Sequence, residues 1–172
     1  MTCPVDLETI SPAPFPIAAP ASALSTASLV DSSIVPNPSV FFDLCNGFNN
    51  SSIIDSSYNA NPASFRASID SLMSMGSNSW VIMGQMGELG AHSEKHHVEL
   101  AHYAAKKGVE KLFVLTKHNE AISQAFNRET YSFSKKSDLV RFIKPLLKNN
   151  TNVLIKASRY MKFETIVDEL IS

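Results

Sequence analysis

The sequence predicts an α/β protein: a three-layer, Rossmann-like domain with a mostly parallel sheet of about five or six strands. From residue 51 onward, short runs of apolar and β-branched residues alternate with amphipathic helical segments, and the connections between them are short. Within Ser79–Gly84 the apolar residues are unbroken, which is typical of a strand buried on both faces. This alternation favours parallel strands joined by right-handed crossovers, with helices on both faces of the sheet.

The spacing of apolar residues predicts each element in turn. Strands are predicted at Ser52–Asp55, Ser79–Gly84, Lys111–Thr116, Thr130–Phe133 and Asn152–Lys156. Helices are predicted at Pro62–Met75, Ser93–Lys107, His118–Phe126, Asp138–Lys148 and Met161–Ile171.

Capping residues predict where the helices begin and end. Asn61 can cap the first helix with its side-chain oxygen, and Pro62 suits a first turn, where no N–H is needed. Ser93 is predicted to cap the second helix in the same way. A glycine follows each of these two helices, and glycine readily adopts the left-handed conformation that ends a helix. Pro145 is expected to bend or distort the fourth helix.

Residues 1–48 differ from residues 49–172, which form the predicted domain. We expect a poorly ordered or irregular arm that is rich in Pro, Ser and Ala, with one short strand at Val40–Phe42 at most. Its prolines, which break helices and central strands, lie at Pro4, Pro12, Pro14, Pro16, Pro20, Pro36 and Pro38. Whether Phe41 and Phe42 anchor the arm or the arm is an unstructured tail stays open.

Composition argues against nucleic acid and membranes as partners. The net charge is −1, and all fifteen basic residues follow residue 65, too mild an excess for a nucleic-acid-binding face. The sequence has no run of about 18 apolar residues, and its amino terminus lacks the basic region of a signal peptide. Cys3 and Cys45 are expected to be isolated thiols without metal-type spacing, so we expect a reducing, cytoplasmic location.

Two common kinds of site are missing from the sequence. No G-x-x-x-x-G-K-[ST] phosphate loop occurs, and Gly84, Gly87 and Gly90 do not spell the dinucleotide fingerprint. An autonomous nucleotide-hydrolysing site is therefore not expected. Four histidines cluster near the second helix, at His92, His96, His97 and His102. No cysteine or paired carboxylate completes a metal set, so we expect no metal site and solvated or capping histidines instead.

Polar residues at the carboxyl ends of strands are candidates for ligand binding. Glu88 follows the second predicted strand and could hold a ligand hydroxyl or amine; a surface carboxylate is the equal alternative. Lys156, Ser158 and Arg159 end the last strand, where two cations and a hydroxyl suit a phosphate or carboxylate. A solvated helix start remains the equal alternative there.

Four segments together resemble motifs of a known family: Ser57–Pro62, Val81–Gly90, Ser93–Val98, and Lys156–Arg159 with Glu164 beyond. They are similar to the S-Y-N-A-N-P, V-x-G-D-M-x-E-L-G, histidine-containing and K-G-S-R motifs of the Mur ligases. The resemblance is strongest to the members that add D-alanyl-D-alanine to UDP-N-acetylmuramoyl-tripeptide in peptidoglycan precursor synthesis. It covers roughly residues 50–172, the family's carboxyl-terminal Rossmann-like domain.

The resemblance implies a share in an ATP-dependent ligation. The family activates a substrate carboxylate as an acyl phosphate, which the amine of D-alanyl-D-alanine attacks. Its cofactors are ATP and Mg²⁺, but the phosphate loop, the Mg²⁺ ligands and the UDP pocket belong to domains that this chain lacks. We therefore expect the chain to be inactive alone and assign no catalytic residue; the missing domains could act in trans. A non-catalytic domain that binds a nucleotide or partner is the alternative.

The resemblance also implies which residues would face each ligand. The nucleotide-binding residues would be Tyr58, Asn59, Asn61 and Pro62. The substrate-binding residues would be Glu88, His97, Lys156, Ser158 and Arg159. Ser56 stands where the family has a carboxylate, and Gln85 stands for another. We expect an aspartate at position 56 to strengthen nucleotide binding through the ribose hydroxyls.

Overall fold

A computed structural model describes residues 42–76 and 78–171 of the chain. Strands β1 to β6 lie at Asp43–Asn46, Ser52–Asp55, Ser79–Gly84, Lys111–Leu115, Glu129–Ser132 and Asn152–Lys156. Helices α1 to α5 lie at Pro62–Ser74, Ser93–Lys107, Asn119–Phe126, Lys136–Ile143 and Glu164–Ile171. The predicted α/β class is confirmed, and the predicted elements are present with ends shifted by a few residues.

The strands form one six-stranded sheet in the order β1-β2-β6-β3-β4-β5. All neighbours pair in parallel except β1, which runs antiparallel to β2 at one edge. Strand β6 lies between β2 and β3, pairing Val153 with both Ile53 and Trp80. The carboxyl ends of these three strands therefore meet at one edge of the sheet.

Apolar side chains cover both faces of the sheet and make three layers. Helices α1, α2 and α3 pack on one face through residues such as Phe65, Leu100 and Ile122. Helices α4 and α5 pack on the other face through residues such as Leu139 and Ile166. Because the central strands are buried on both faces, they need the unbroken apolar runs seen in the sequence.

The helix ends follow the predicted signals with one exception. Asn61 caps α1 by accepting from the backbone N–H of Ser64 at 2.8 Å, and Ser64 reciprocates in a capping box. Gly108 ends α2 in the left-handed conformation. Helix α4 stops at Ile143, and a 3₁₀ turn containing Pro145 follows, as the predicted distortion requires. The capping role predicted for Ser93 is wrong, because its side chain makes no cap hydrogen bond and its backbone is already helical.

The predicted arm lies almost entirely outside the described residues, as do Val40 and Phe41 of its predicted strand. Within residues 42–48, the backbone forms β1 in place of irregular structure. Cys45 on that strand is buried and disulfide-bonded, so the expectation of isolated thiols is wrong. Among the helices of the described ranges, none has the length and apolarity needed to cross a membrane.

Candidate functional site

Three loops meet at the carboxyl edge of the sheet. We call them the Tyr loop (residues 56–61, after β2), the Gly loop (residues 85–92, after β3) and the Arg loop (residues 157–160, after β6). Their strands are neighbours in the sheet, so the loops lie side by side. Open parallel sheets bind ligands at this edge.

The three loops enclose a cavity of about 500 Å³. The sequence-predicted residues that line it are Asn59, Asn61, Glu88, Ser158 and Arg159. Tyr58 lies beside them, because the guanidinium carbon of Arg159 is 4.5 Å from the centre of the Tyr58 ring. Tyr58 is 73% exposed, so its side chain is accessible to solvent or a ligand. Pro62 does not line the cavity and serves as the first residue of α1.

A second, larger cavity of about 700 Å³ lies on the other side of the Gly loop. It is bounded by that loop, by Phe133 and Ser134 after β5, and by four residues at and beyond the end of β4: Leu115, Thr116, Lys117 and Asn119. Glu88 and Tyr160 line both cavities. Tyr160, the Leu115–Asn119 segment and this cavity were not predicted from the sequence. Open α/β sheets bind ligands at the carboxyl ends of their strands, and the same expectation applied to β4 points to that segment.

Ser158 fastens the Gly loop to the Arg loop. Its hydroxyl accepts a hydrogen bond from the backbone N–H of Gly87 at 2.7 Å, and its own N–H donates to the carbonyl of Gln85 at 3.1 Å. The residue is buried. Its hydroxyl therefore holds the cavity wall in place.

Lys156 lies beneath the Tyr loop and does not line either cavity. Lys156 is only 3% exposed. Its Nζ donates to the hydroxyl of Ser56 at 2.7 Å and to the carbonyl of Asn59 at 2.9 Å. Burial lowers the pKa of the Lys156 ammonium to about 8, although the nearby carboxylate of Asp55 acts in the opposite direction. The ammonium supports the loop from below.

Ser56 is also buried, and its hydroxyl faces Lys156 and Ser68. An aspartate at position 56 would therefore meet the buried ammonium. Stronger nucleotide binding with an aspartate at this position stays a prediction, and the structure adds the contact with Lys156 as a second expected effect.

His97 holds the Gly loop to α2 from inside the protein. The residue is fully buried; its Nε2 accepts from the backbone N–H of Met86 at 3.0 Å, and its Nδ1 donates to the carbonyl of Ser93 at 2.7 Å. Burial is the main reason that the pKa of His97 lies below its ordinary value. The expectation of solvated or capping histidines is wrong for His97, and its position favours loop support over direct ligand contact.

A further polar cluster was missed entirely by the sequence analysis. The Nε2 of Gln85 donates to the hydroxyl of Ser93 at 2.8 Å. That hydroxyl is 3.2 Å from Nε2 of His118, and the Nδ1 of His118 is 3.2 Å from a carboxylate oxygen of Glu94. The cluster joins the Gly loop, the start of α2 and the β4–α3 connection at the wall of the larger cavity. Within residues 42–76 and 78–171, no group of three or more His, Cys, Asp or Glu side chains could hold a metal ion.

The sequence matches the family model described as "Mur ligase, glutamate ligase domain" over residues 42–159. That range includes the whole sheet, the Tyr and Gly loops, and the Arg loop up to Arg159. The chain belongs to the Mur ligase family. Its matched region is the carboxyl-terminal domain of the MurF type.

Two similar proteins are UDP-N-acetylmuramoyl-tripeptide–D-alanyl-D-alanine ligases. The one from Escherichia coli (strain K12) is 32% identical over 109 residues, which is 62% of this chain and 24% of the relative. The one from Bacillus subtilis (strain 168) is 33% identical over 118 residues, or 64% of this chain and 26% of the relative. The chain thus spans about a quarter of the length of the relatives it matches.

Solved MurF structures share the fold. MurF from Acinetobacter baumannii superposes with a TM-score of 0.66 and 23% identity, covering 75% of this chain and 30% of that one. MurF from Thermotoga maritima, solved with ADP, gives a TM-score of 0.65 and 22% identity, covering 84% and 33%. These likenesses support the Rossmann-like architecture.

Proposed function

We propose that this chain acts as the carboxyl-terminal share of an ATP-dependent ligase that adds D-alanyl-D-alanine to UDP-N-acetylmuramoyl-tripeptide. One observation carries the proposal: polar side chains from three loops converge on one cavity at the edge of the sheet where α/β domains bind ligands. Cytoplasmic location is part of the proposal, because the ligation consumes ATP.

The residues around the smaller cavity fit a nucleotide. Tyr58 offers an exposed aromatic face for a base, and Arg159 offers a guanidinium for a phosphate or carboxylate. The side-chain oxygens of Asn59 and Asn61 already accept backbone hydrogen bonds, so their amide nitrogens are the groups suited to donate to a ligand. When bound, ATP would supply the phosphoryl group that activates the substrate carboxylate.

This chain's own residues would bind and orient ligands without performing the chemistry. The buried contacts of Lys156, Ser158 and His97 hold the loops in place before any ligand arrives. Such preorganisation lowers the entropy that binding must lose. The phosphate loop and Mg²⁺ ligands would come from other domains of the ligase.

Titration calorimetry with ATP and with ADP tests the nucleotide part of this proposal. We expect weak but saturable binding, and about five- to tenfold weaker binding in Tyr58→Ala and in Arg159→Ala, because each removes a contact worth roughly 1 kcal/mol. Lys148→Ala is the matched control: it removes an exposed cation near the start of β6, at the opposite edge of the sheet. Equal loss of affinity in the control would contradict the assigned site.

A reconstitution assay tests the ligase part. The chain is mixed with the amino-terminal and central domains of a relative, and addition of D-alanyl-D-alanine is measured with ATP and Mg²⁺. We expect product in the mixture and none with the chain alone. No product with saturable ATP binding would favour the alternative, a non-catalytic domain that binds a nucleotide. Flat titrations with both nucleotides and with the dipeptide would leave a domain without a ligand.

A further inference from the structure

A row of hydrogen-bonded side chains reaches the larger cavity through Gln85 and Ser93, and the proposed ligase function does not use it. Ser93 lines that cavity and begins α2. Its hydroxyl contacts Nε2 of His118, and Nδ1 of the same ring contacts a carboxylate oxygen of Glu94, both at 3.2 Å. The imidazole is well shielded, with 12% of its side chain exposed, whereas 63% of the Glu94 side chain is exposed.

One assignment of protons satisfies every contact in this row. The ionised Glu94 can only accept, so Nδ1 of His118 carries the proton. In the neutral ring, Nε2 then accepts from the hydroxyl of Ser93. The amide of Gln85 donates to the remaining side of that hydroxyl at 2.8 Å. Hydroxyl, imidazole and carboxylate thus stand in the order that activates a serine nucleophile.

Hydrogen bonds to their backbone groups hold Ser93 and His118 in place. The carbonyl of Ser93 accepts from the buried ring of His97 at 2.7 Å. The N–H of His118 donates to the hydroxyl of Thr116 at 3.0 Å, and Asn119 closes the same turn by accepting from Thr116. Catalytic groups need this kind of support, because small displacements lose much of the rate.

We propose that Ser93 is a nucleophile for acyl transfer, with His118 as its general base and Glu94 orienting the imidazole, and that it hydrolyses small activated esters that enter the larger cavity. The hydroxyl oxygen of Ser93 forms a bond to the ester carbonyl carbon while its proton passes to Nε2 of His118. The ester C–O bond then breaks, and the same proton goes to the departing alkoxide. Water attacks the acyl-serine by the reverse sequence and releases the carboxylic acid.

Labelling of the full chain with diisopropyl fluorophosphate, followed by peptide mass spectrometry, tests the nucleophile. We expect a single adduct on Ser93, with loss of fluoride, and none in Ser93→Ala. Ser134→Ala is the matched control, because Ser134 lines the same cavity without an imidazole in contact. A folded wild-type chain that takes up no label, or takes it up equally at Ser134, would overturn the proposal.

Chemical rescue separates a general base from a structural histidine. His118→Ala should react at least about 100-fold more slowly with the reagent, the usual contribution of a general base. Added imidazole should restore labelling of Ser93 in this variant and leave Ser93→Ala unlabelled. Unchanged labelling in His118→Ala, or loss without rescue while circular dichroism shows native structure, would refute the role of His118.

A burst of p-nitrophenol from p-nitrophenyl acetate, stoichiometric with the chain and absent in Ser93→Ala, is the expected sign of the acyl-serine. This activity does not depend on the ligase proposal, and either can fail without the other.

Discussion

The buried ammonium of Lys156 makes the stability of this domain depend on pH in an unusual direction. The folded state lowers the pKa of Lys156 from 10.5 to about 8, chiefly because burial disfavours the charge. Between these values the unfolded chain holds a proton that the folded chain has released. The free energy of unfolding must therefore rise with pH across this window, since stability increases wherever the unfolded state binds more protons.

The magnitude follows from the size of the pKa shift. Each pKa unit corresponds to about 1.4 kcal/mol, so the full shift amounts to roughly 3 kcal/mol. Between pH 7 and pH 9.5 the expected gain is about 2 kcal/mol. At pH 9.5 most tyrosines are still protonated, so their titration contributes little. Urea unfolding at pH 7, 8, 9 and 9.5 measures the gain.

Two variants should remove this gain for different reasons. Lys156→Met replaces the ammonium by an apolar chain of similar length and so removes the titrating group. Ser56→Asp places a carboxylate where a hydroxyl now lies 2.7 Å from Nζ, which should raise the pKa of Lys156 toward its ordinary value. Lys148→Met, at an exposed position, should retain the full wild-type gain. A wild-type chain whose stability stays flat from pH 7 to 9.5, or a gain that persists in Lys156→Met, would refute the reasoning.

Two further predictions concern the Gly loop and its surroundings. In wild type, the free energy of unfolding should fall as pH drops below 6.5, because the unfolded chain takes up a proton that buried His97 resists. His97→Gln should lose about 1–3 kcal/mol of this free energy at pH 7, and its stability should depend less on pH below 6.5. An unchanged pH dependence below 6.5 in His97→Gln would contradict this. Gly84→Ala should destabilise by about 1–3 kcal/mol, because the new Cβ would lie 2.4 Å from that of Ala157 and 2.6 Å from the ring of Phe163. Gly87→Ala should be milder in the same thermal unfolding assay, since its nearest contact is 3.3 Å away on the exposed side chain of Tyr160; equal losses would show that the predicted overlap does not decide the cost.

The sequence predicted those parts of the fold that depend on local spacing. The unbroken run in β3 identified a strand buried on both faces, and Asn61 with Pro62 identified the start of α1. Ser93 misled the same reasoning, because a serine before a helix favours a cap only when its hydroxyl turns back to the backbone. Here that hydroxyl is hydrogen-bonded to the side chains of Gln85 and His118, which lie 8 and 25 positions away in the sequence.

The candidate site was predictable as a set of loops but not as a set of side-chain directions. Asn59, Glu88 and Arg159, which come from three separate motifs, line one cavity. Nothing in local spacing shows whether a polar side chain after a strand points outward to a ligand or inward to another loop. Lys156 and His97 point inward, because the undersides of the loops carry backbone carbonyls and N–H groups that need partners once buried.

The pairing of Ser56 with Lys156 shows what information was missing. In the parallel register of β2 with β6, Asp55 lies opposite Ile155, so the next residues on both strands are neighbours above the last rung. Had the strand order been known, Ser56 and Lys156 would have been considered together. Ser56 places a neutral hydroxyl beside the buried ammonium, where the resemblance implies a carboxylate. Without that negative charge, a buried lysine loses its proton more readily. In three dimensions, the position at which the resemblance implies a ligand contact also faces the ammonium of Lys156 inside the protein.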